Sequence, residues 1–147
     1  APGVRSLVFG GVGLGAELGV DPSDWEALAH ARSRVVLASR AAGIDPPADG
    51  SYPPFANLEG LRAEARHAKR FGFFGKSAIH PTQVPILNEV FSPTAAELAW
   101  AREVVAVYAA SGGAATRNAA GEMVDVPVVE RAQGLLRRAD GGRAPAG

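Results

Sequence analysis

Short apolar segments that end in glycine or proline alternate along the chain with longer segments of helical character, and this order constrains the fold most. The first apolar segment, residues 5–10 (RSLVFG), predicts a buried strand. Helices are predicted from Trp25 to near Gly43 and from Asn57 to Arg70, and residues 75–79 (GKSAI) predict another short strand. This is the order of consecutive βα units, which favours a parallel sheet with ligand chemistry at the carboxyl ends of its strands.

The glycine-rich segment at residues 10–19, GGVGLGAELG, directly follows the first predicted strand. Because glycine lets a backbone approach its neighbours closely, the segment predicts an open turn and a place to look for ligand. The helix after it carries three arginines, which we expect on its solvent side: Arg32, Arg34 and Arg40.

Residues 44–54 hold four prolines, two aspartates and a glycine, which predict a loop with a very short strand near Tyr52. Further along, residues 82–90 predict a short helix that is interrupted or bent near Pro85. The βα order therefore continues through this part of the chain.

The C-terminal part has a different order, which predicts a helix, a hairpin and a second helix. Thr94 and Glu97 have the spacing of a capping box for a helix that ends near Ser111. Residues 112–126 predict a hairpin, and Pro127 opens the last helix.

The composition excludes several classes of function. Fifteen basic and fifteen acidic residues give a formal net charge of zero without a basic stripe, so a nucleic-acid partner is not expected. The apolar runs are far shorter than the ~20 residues that span a bilayer, so we expect no membrane contact and a soluble, cytoplasmic protein. The sequence has no cysteine, which excludes thiol catalysis, thiolate metal sites and disulfides.

Four segments carry a resemblance to a known family. They are GFFGKSAIHPTQ at 72–83, NEVFSP at 88–93, GEMVDVP at 121–127 and VFGGVGLGAELG at 8–19. In this order they resemble the citrate lyase beta subunit and related CoA-ester lyases of the HpcH/HpaI aldolase group. The resemblance covers about residues 5–139, and the combination is more specific than any one segment.

The resemblance implies an α/β fold, an incomplete TIM (β/α)8 barrel made of about the last three βα units, with a C-terminal helix-hairpin-helix extension. We expect a partial barrel over residues 1–91, the extension over 92–139 and a disordered tail over 140–147. Family members are about twice as long, and their first strands supply an arginine for the substrate carboxylate and a glutamate for Mg²⁺. Nothing in this sequence matches those strands, so we expect a fragment, an intimate oligomer or a chain that needs a missing segment.

The activity that the resemblance implies is Mg²⁺-dependent cleavage or formation of a carbon–carbon bond in a citryl-, malyl- or citramalyl-type acyl-CoA, three substrates that these residues do not distinguish. We expect little or no turnover by this chain alone. A noncatalytic oligomerisation or regulatory module derived from the family is the main alternative, and an open, flavodoxin-like α/β domain is another. Expected partners are an acyl-CoA or 2-oxo acid and, through the C-terminal extension, further copies of the chain.

The resemblance also places a metal and a substrate site near the first strand. The family has an aspartate ligand for Mg²⁺ where this sequence has Gly13, so no metal ligand is assigned, and Glu17 is a possible substitute. Backbone N–H groups of four residues are expected to bind a substrate carboxylate, with a simple tight turn as the alternative: Gly10, Gly11, Val12 and Gly13.

Other candidate residues lie further along the chain. The resemblance implies a position beside coenzyme A for Lys76, Ile79, His80 and Gln83, although a lone histidine is more often structural. It implies acid/base catalysis for Asp125, delivered by the tail of a neighbouring subunit, whereas the alternative is a helix cap before Pro127. The two other histidines are expected at the surface without a role: His30 and His67.

Overall fold

The computed structural model describes residues 3–140 and divides the chain into two compact units, Ala1–Phe91 and Ser92–Gly147. The elements of the first unit, in chain order, are α1 Gly11–Leu18, α2 Trp25–Ala41, β1 Ala48–Asp49, α3 Leu58–Phe71, β2 Gly75–Lys76 and α4 Gln83–Phe91.

A short parallel ladder lies at the centre of the first unit. Val8 forms an isolated parallel bridge with Ala48, and the N–H of Phe9 donates to the carbonyl oxygen of Ala48 over 2.9 Å. Strands β1 and β2 pair in parallel, with Ala48 opposite Gly75 and Asp49 opposite Lys76. The buried strand expected over residues 5–10 is limited to this bridge at Val8, which is 64% exposed. The three extended segments are neighbours in chain order, as the alternation of strands and helices predicts.

The helices of this unit begin and end where the sequence supplies caps. The Asp24 carboxylate accepts from the N–H groups of Glu26 and Ala27 at the start of α2. Helix α3 is capped by Asn57 and ends at Gly72, whose φ of 100° is in the left-handed region that favours glycine. Two apolar clusters hold the helices in place: Phe9, Leu28, Ala68 and Phe73 in the first, and Leu61, Ala65, Leu87 and Val90 in the second.

The predicted open turn after the first strand is wrong, because the glycine-rich segment forms helix α1. Gly15 lies against the next loop, where a Cβ would be 3.0 Å from the carbonyl oxygen of Val20. Gly19 ends the helix in the left-handed region with a φ of 69°. The glycines therefore allow close packing of a helix rather than keep the chain open.

The strand and α4 predictions also need correction. The short strand expected near Tyr52 lies earlier, at β1, and the strand expected over 75–79 is limited to β2. Helix α4 is continuous through Pro85, where an interruption or bend was expected. Pro85 is the third residue of α4, where an N–H has no partner within the helix and its loss costs little.

The second unit contains α5 Ala95–Ala110, β3 Thr116–Arg117, β4 Met123–Val124 and α6 Val126–Ala139. The capping box at Thr94 and Glu97 is confirmed. Strands β3 and β4 pair antiparallel, and the N–H of Gly121 donates to the carbonyl oxygen of Asn118 in the turn between them. The two helices pack on one apolar cluster: Ala101, Val104, Val124, Val129, Ala132 and Leu135.

Most of the predicted disordered tail, 141–147, lies outside the described residues. Asp140 itself is the C-cap of α6. Within residues 3–140, no helix combines the length and the apolar character that crossing a membrane requires.

Candidate functional site

A buried ion network occupies the carboxyl ends of the parallel strands. Asp49 and Lys76 are register partners on β1 and β2, so their side chains lie on the same side of the ladder, and Asp49 Oδ2 is 2.8 Å from Lys76 Nζ. Lys76 Nζ also lies 2.5 Å from Glu64 Oε1 of α3. Both Asp49 and Lys76 are buried, so water screens these interactions little.

Arg32 of α2 completes the network from the other side of Asp49. Its Nε lies 3.4 Å from Asp49 Oδ1, and its guanidinium carbon lies 3.8 Å from the centre of the Trp25 ring and 4.7 Å from that of Phe9. The residue is only 3% exposed, which corrects the prediction that Arg32 is on the solvent side of its helix. The other two predicted surface arginines, Arg34 and Arg40, are exposed.

These charged side chains line a cavity of about 440 Å³ at the carboxyl ends of the strands. Gly11 and Val12, the first two residues of α1, form part of its wall. The loop after β1 and the turn before α2 supply the remainder: Pro22, Ser23, Gly50, Ser51, Tyr52, Pro53 and Pro54. A cavity of this size accommodates a small organic acid.

Two glycines around the cavity lie close to their neighbours, Gly50 more closely than Gly11. A Cβ on Gly50 would lie 2.6 Å from the carbonyl oxygen of Phe9, so only glycine lets the loop after β1 pass the first extended segment. A Cβ on Gly11 would lie 3.1 Å from the Phe9 ring and 3.4 Å from Arg32 Nη2. The guanidinium thus lies directly against the first residue of α1.

His67 of α3 takes part in the same packing, although it was expected at the surface without a role. Its ring stacks on Trp25 with a centroid distance of 4.0 Å and an interplanar angle of 10°. Burial lowers the pKa of His67 below its ordinary value, the nearby charges of Arg70 and Arg32 lower it further, and Glu64 opposes them. His30 is exposed, as expected.

The structure separates the four predicted substrate-binding residues. Gly11 and Val12 line the cavity, whereas Gly10 is the N-cap of α1 and Gly13 lies on its exposed surface. Gly10 contributes no side-chain cap, and the first turn of α1 has no acidic residue. The first N–H groups of α1 and the positive end of the helix dipole are therefore not neutralised. This arrangement can bind an anion.

The four residues expected beside coenzyme A occupy different environments. Lys76 is in the buried ion network, and Gln83 is buried, donating to the carbonyl oxygen of Tyr52 and accepting from the N–H of Ile79. Ile79 and His80 are exposed, and the His80 ring stacks on Phe55 at 5.1 Å. Gln83 therefore holds two loops together at the ends of the strands. The stacked rings of His80 and Phe55 are exposed and accessible to ligand.

Asp125, the predicted catalytic group, is the N-cap of α6. Its Oδ1 accepts from the N–H of Val128 over 3.4 Å, and Pro127 follows in the first turn. The apolar residues on either side of it, Met123 and Val126, are exposed. This geometry satisfies the capping alternative and leaves the second carboxylate oxygen for another interaction.

The described residues do not fit Mg²⁺. Within residues 3–140, no three or more histidine, aspartate or glutamate side chains are grouped so that they could hold a metal ion. The cavity's two carboxylates, Asp49 and Glu64, are engaged by Arg32 and Lys76, and Gly13 has no side-chain oxygen. Glu17, the possible substitute ligand, is exposed on α1.

Parallel βα units with a polar cavity at the carboxyl ends of their strands define an α/β protein with its ligand site at that edge. Comparison with protein families gives the same class, because the model of the C-C bond lyases of the TIM-barrel fold matches residues 14–141. The chain belongs to this family, which confirms the predicted resemblance to CoA-ester lyases of the citrate lyase beta type.

Two relatives illustrate the similarity in sequence. The mitochondrial citramalyl-CoA lyase of Mus musculus is 32% identical over 134 residues, which is 89% of this chain and 39% of that protein. The L-malyl-CoA/beta-methylmalyl-CoA lyase of Rhodobacter capsulatus is 38% identical over 122 residues, or 82% of this chain and 36% of that protein. The chain thus spans less than half the length of either lyase.

Solved structures agree with this assignment. The CitE protein of Mycobacterium tuberculosis, in complex with magnesium, acetoacetate and coenzyme A, is 34% identical with a TM-score of 0.76, covering 90% of this chain and 51% of that one. RipC of Yersinia pestis is 40% identical with a TM-score of 0.63, covering 67% of this chain and 45% of that one.

Proposed function

We propose that this chain forms part of a CoA-ester lyase that cleaves or forms a carbon–carbon bond in a citryl-, malyl- or citramalyl-type acyl-CoA. The observation that carries the proposal is the family match over residues 14–141, together with relatives that are named as lyases of citramalyl-CoA and malyl-CoA. In the cleavage direction, a 3-hydroxyacyl-CoA loses its C2–C3 bond, and the products are a 2-oxo acid and a shorter acyl-CoA.

The proposed contribution of the first unit is to hold the carboxylate of the 2-oxo acid. The uncapped first turn of α1, at Gly11 and Val12, presents N–H groups toward the cavity side of the helix. The ion network of Asp49 and Lys76 fixes the ends of β1 and β2 beneath the cavity. Fixed donors of this kind orient a substrate without a cost for side-chain ordering.

The described part of this chain does not fit Mg²⁺. In our proposal, the family's metal is therefore bound by residues outside the described part of this chain. In the intact family the metal stabilises the developing enolate as a Lewis acid. We accordingly propose that the first unit is a partial barrel, that the second is a helix-hairpin-helix extension, and that the chain alone turns over little or no substrate.

Two further roles belong to the proposal. The exposed Ile79 and His80 would lie beside coenzyme A, with Lys76 and Gln83 supporting that edge from within. Asp125, flanked by the exposed Met123 and Val126, would reach the site of another copy of the chain in a homo-oligomer and act there as an acid or base.

The decisive experiment is complementation. The chain is joined to the N-terminal barrel half of the Mycobacterium tuberculosis CitE protein and incubated with Mg²⁺ and malyl-CoA or citramalyl-CoA. Phenylhydrazine traps the released 2-oxo acid, whose hydrazone is followed by its absorbance. Controls are the chain alone and the CitE half alone.

Release of 2-oxo acid by the joined protein, and not by either part, is the expected result. A folded joined protein that binds acyl-CoA without turnover of either substrate would overturn the lyase proposal and favour the noncatalytic module. Turnover by the chain alone would contradict the expected inactivity.

Gly13→Asp tests the metal part of the proposal in the joined protein. A Cβ at Gly13 meets no atom within 4 Å, so the aspartate fits without displacing its neighbours. We expect the variant to bind Mg²⁺ at least tenfold more tightly, since a carboxylate oxygen is a preferred ligand of this ion. Gly13→Asn is the matched control, and equal Mg²⁺ affinity of all three proteins in calorimetry would contradict the assignment of this position.

A further inference from the structure

Gln83 is a fully buried glutamine whose amide group joins two loops of the first unit. Its Nε2 donates to the carbonyl oxygen of Tyr52 over 3.0 Å, and its Oε1 accepts from the N–H of Ile79 over 2.9 Å. Tyr52 follows β1 and Ile79 follows β2, so both backbone groups lie beyond the ends of the two-residue strands. One side chain thus supplies the hydrogen bonds that the parallel ladder no longer makes.

The first of these loops forms a wall of the cavity. Five consecutive residues after β1, 50–54, line the cavity, and Tyr52 is the middle one. Tyr52 is also held at a second point, because Nδ2 of Asn57 donates to its hydroxyl oxygen over 3.2 Å. A loop that is fixed both at its backbone and at a side chain is already ordered before a ligand binds, which lowers the entropic cost of binding.

The second loop carries His80, whose ring contacts the first loop again. It stacks on Phe55 with a centroid distance of 5.1 Å and an interplanar angle of 26°, and these two rings are the ring pair. The N–H of Thr82 donates to Nδ1 of His80 over 3.3 Å, which orients the imidazole. Phe55 directly follows the cavity wall. The buried Gln83 amide and the exposed ring pair therefore connect the same two loops.

We propose that Gln83 is a positioning residue that sets the spacing between the cavity and the ring pair. The inference rests on the proposed function, in which one acyl-CoA molecule has its acid part in the cavity and its CoA part beside His80. Because the two parts are covalently joined, such a ligand binds well only where the two subsites lie at the matching distance. Either part alone is insensitive to that distance. Gln83 is buried, so it acts through Tyr52 and Ile79 and not by touching the ligand.

The test compares coenzyme A with succinyl-CoA, which is malyl-CoA without the hydroxyl group that carbon–carbon cleavage requires. Both are titrated by calorimetry into the unmodified chain and into Gln83→Met, which keeps the length of the side chain but removes its amide. We expect Gln83→Met to weaken succinyl-CoA binding by about tenfold or more and to leave coenzyme A binding within about twofold. Gln133→Met, which changes an exposed glutamine of α6, should bind both ligands as the unmodified chain does.

A measurement without ligand tests the positioning itself. The Phe55 ring shifts the NMR signals of the His80 ring, and a Phe55→Leu variant gives the values of those signals without that ring. In Gln83→Met, the His80 signals should move toward the Phe55→Leu values, because the first loop is no longer held through Tyr52. In the unmodified chain, the side-chain amide of Gln83 should exchange with solvent far more slowly than that of the exposed Gln133.

Equal weakening of coenzyme A and succinyl-CoA binding by Gln83→Met would overturn the inference, and so would no weakening of either. Unmoved His80 signals in a folded Gln83→Met variant, or absence of succinyl-CoA binding by the unmodified chain, would overturn it as well. Equal exchange rates of the two glutamine amides would do the same, and this measurement stands even where substitution of Gln83 prevents folding. None of these results bears on the release of 2-oxo acid by the joined protein, so failure of this inference and failure of the lyase proposal are separately observed.

Discussion

Asp49 and Lys76 face each other across neighbouring parallel strands, with Oδ2 of the aspartate 2.8 Å from Nζ of the lysine. A register partner on a parallel strand is held at a fixed distance by the ladder, so this buried ion pair is set by the backbone and not by side-chain flexibility. Arg32 and Glu64 then extend the pair to the two helices that flank the strands. One aspartate therefore connects strands, helices and cavity.

Asp49→Asn should destabilise the first unit strongly. The substitution keeps the shape of the side chain but, among residues 3–140, leaves the buried Arg32 without a carboxylate partner and Lys76 with Glu64 as its remaining one. Breaking a buried ion pair from one side costs about 3–5 kcal/mol, and we expect a loss of about 3 kcal/mol. Urea unfolding followed by Trp25 fluorescence, in a Trp100→Phe background, measures the difference.

Asp45→Asn is the matched control for that prediction. Asp45 pairs with Arg5 at 3.3 Å, but the two side chains are 30% and 62% exposed, so their interaction is weak. We expect a change below about 1 kcal/mol. Similar losses for the two variants would show that the buried network does not hold the strands together.

Gly50→Ala should destabilise the same unit for a different reason. The added Cβ would lie 2.6 Å from the carbonyl oxygen of Phe9, and a backbone atom cannot rotate away as a side chain does. Overpacking of this kind costs about 1–3 kcal/mol. Gly75→Ala, where a Cβ meets nothing within 4 Å, is the control and should be close to neutral in the same urea experiment. A neutral Gly50→Ala variant would mean that the loop after β1 shifts freely.

Local sequence signals predicted the elements that depend on local chemistry. Asn57 and Gly72 bound α3, and Thr94 with Glu97 starts α5, because caps are satisfied by residues a few positions apart. The strands are only two residues long, which is too short for the alternation of burial that identifies a strand. Their bounds depend on partners far along the chain, so the strand expected near Tyr52 was misplaced and the one expected over 75–79 was predicted too long.

The candidate site was only partly predictable. Gly11, Val12 and Lys76 were predicted from the resemblance and line the cavity, but Arg32, Asp49 and Glu64 were missed. Arg32 and Asp49 are 17 residues apart in sequence, so no local spacing links them. One signal was available: Arg32 lies four residues after the buried Leu28, which places it on the apolar side of α2.

His67 should make the stability of the first unit depend on pH. Its pKa in the folded chain is lowered by burial and by Arg70 and Arg32, so the unfolded chain binds a proton more readily. The stability is therefore fully present above the ordinary histidine pKa of about 6.5 and is lost as the pH falls through the lower pKa of the folded state. The groups that face the ring are Trp25 and Arg32 of α2, and Glu64, Arg70 and Phe71 of α3.

A comparison with His67→Phe, which keeps a ring on Trp25 but does not titrate, isolates this effect. Urea midpoints measured between pH 8 and pH 5 should fall more steeply for the unmodified chain than for the variant. His30→Gln changes an exposed histidine and should leave the pH profile as it is. Parallel profiles for the unmodified chain and His67→Phe would show that His67 is not responsible for the pH dependence.

Gly134→Ala should stabilise the second unit. Gly134 lies inside α6, and the nearest atom to an added Cβ is Arg137 Nη2 at 3.9 Å, so alanine fits without a clash. Alanine in a helix interior is favoured over glycine by about 0.5–1 kcal/mol, because glycine loses more backbone freedom on folding. Gly121→Ala is the control and should destabilise the same unit, since the φ of 79° at Gly121 strains any residue with a Cβ.

Unfolding of the second unit is followed by the fluorescence of Trp100 in a Trp25→Phe background. The Trp100 ring lies 4.8 Å from the guanidinium carbon of Arg131. A Gly134→Ala variant that unfolds at lower urea than its parent would show that α6 is not a regular helix at this position.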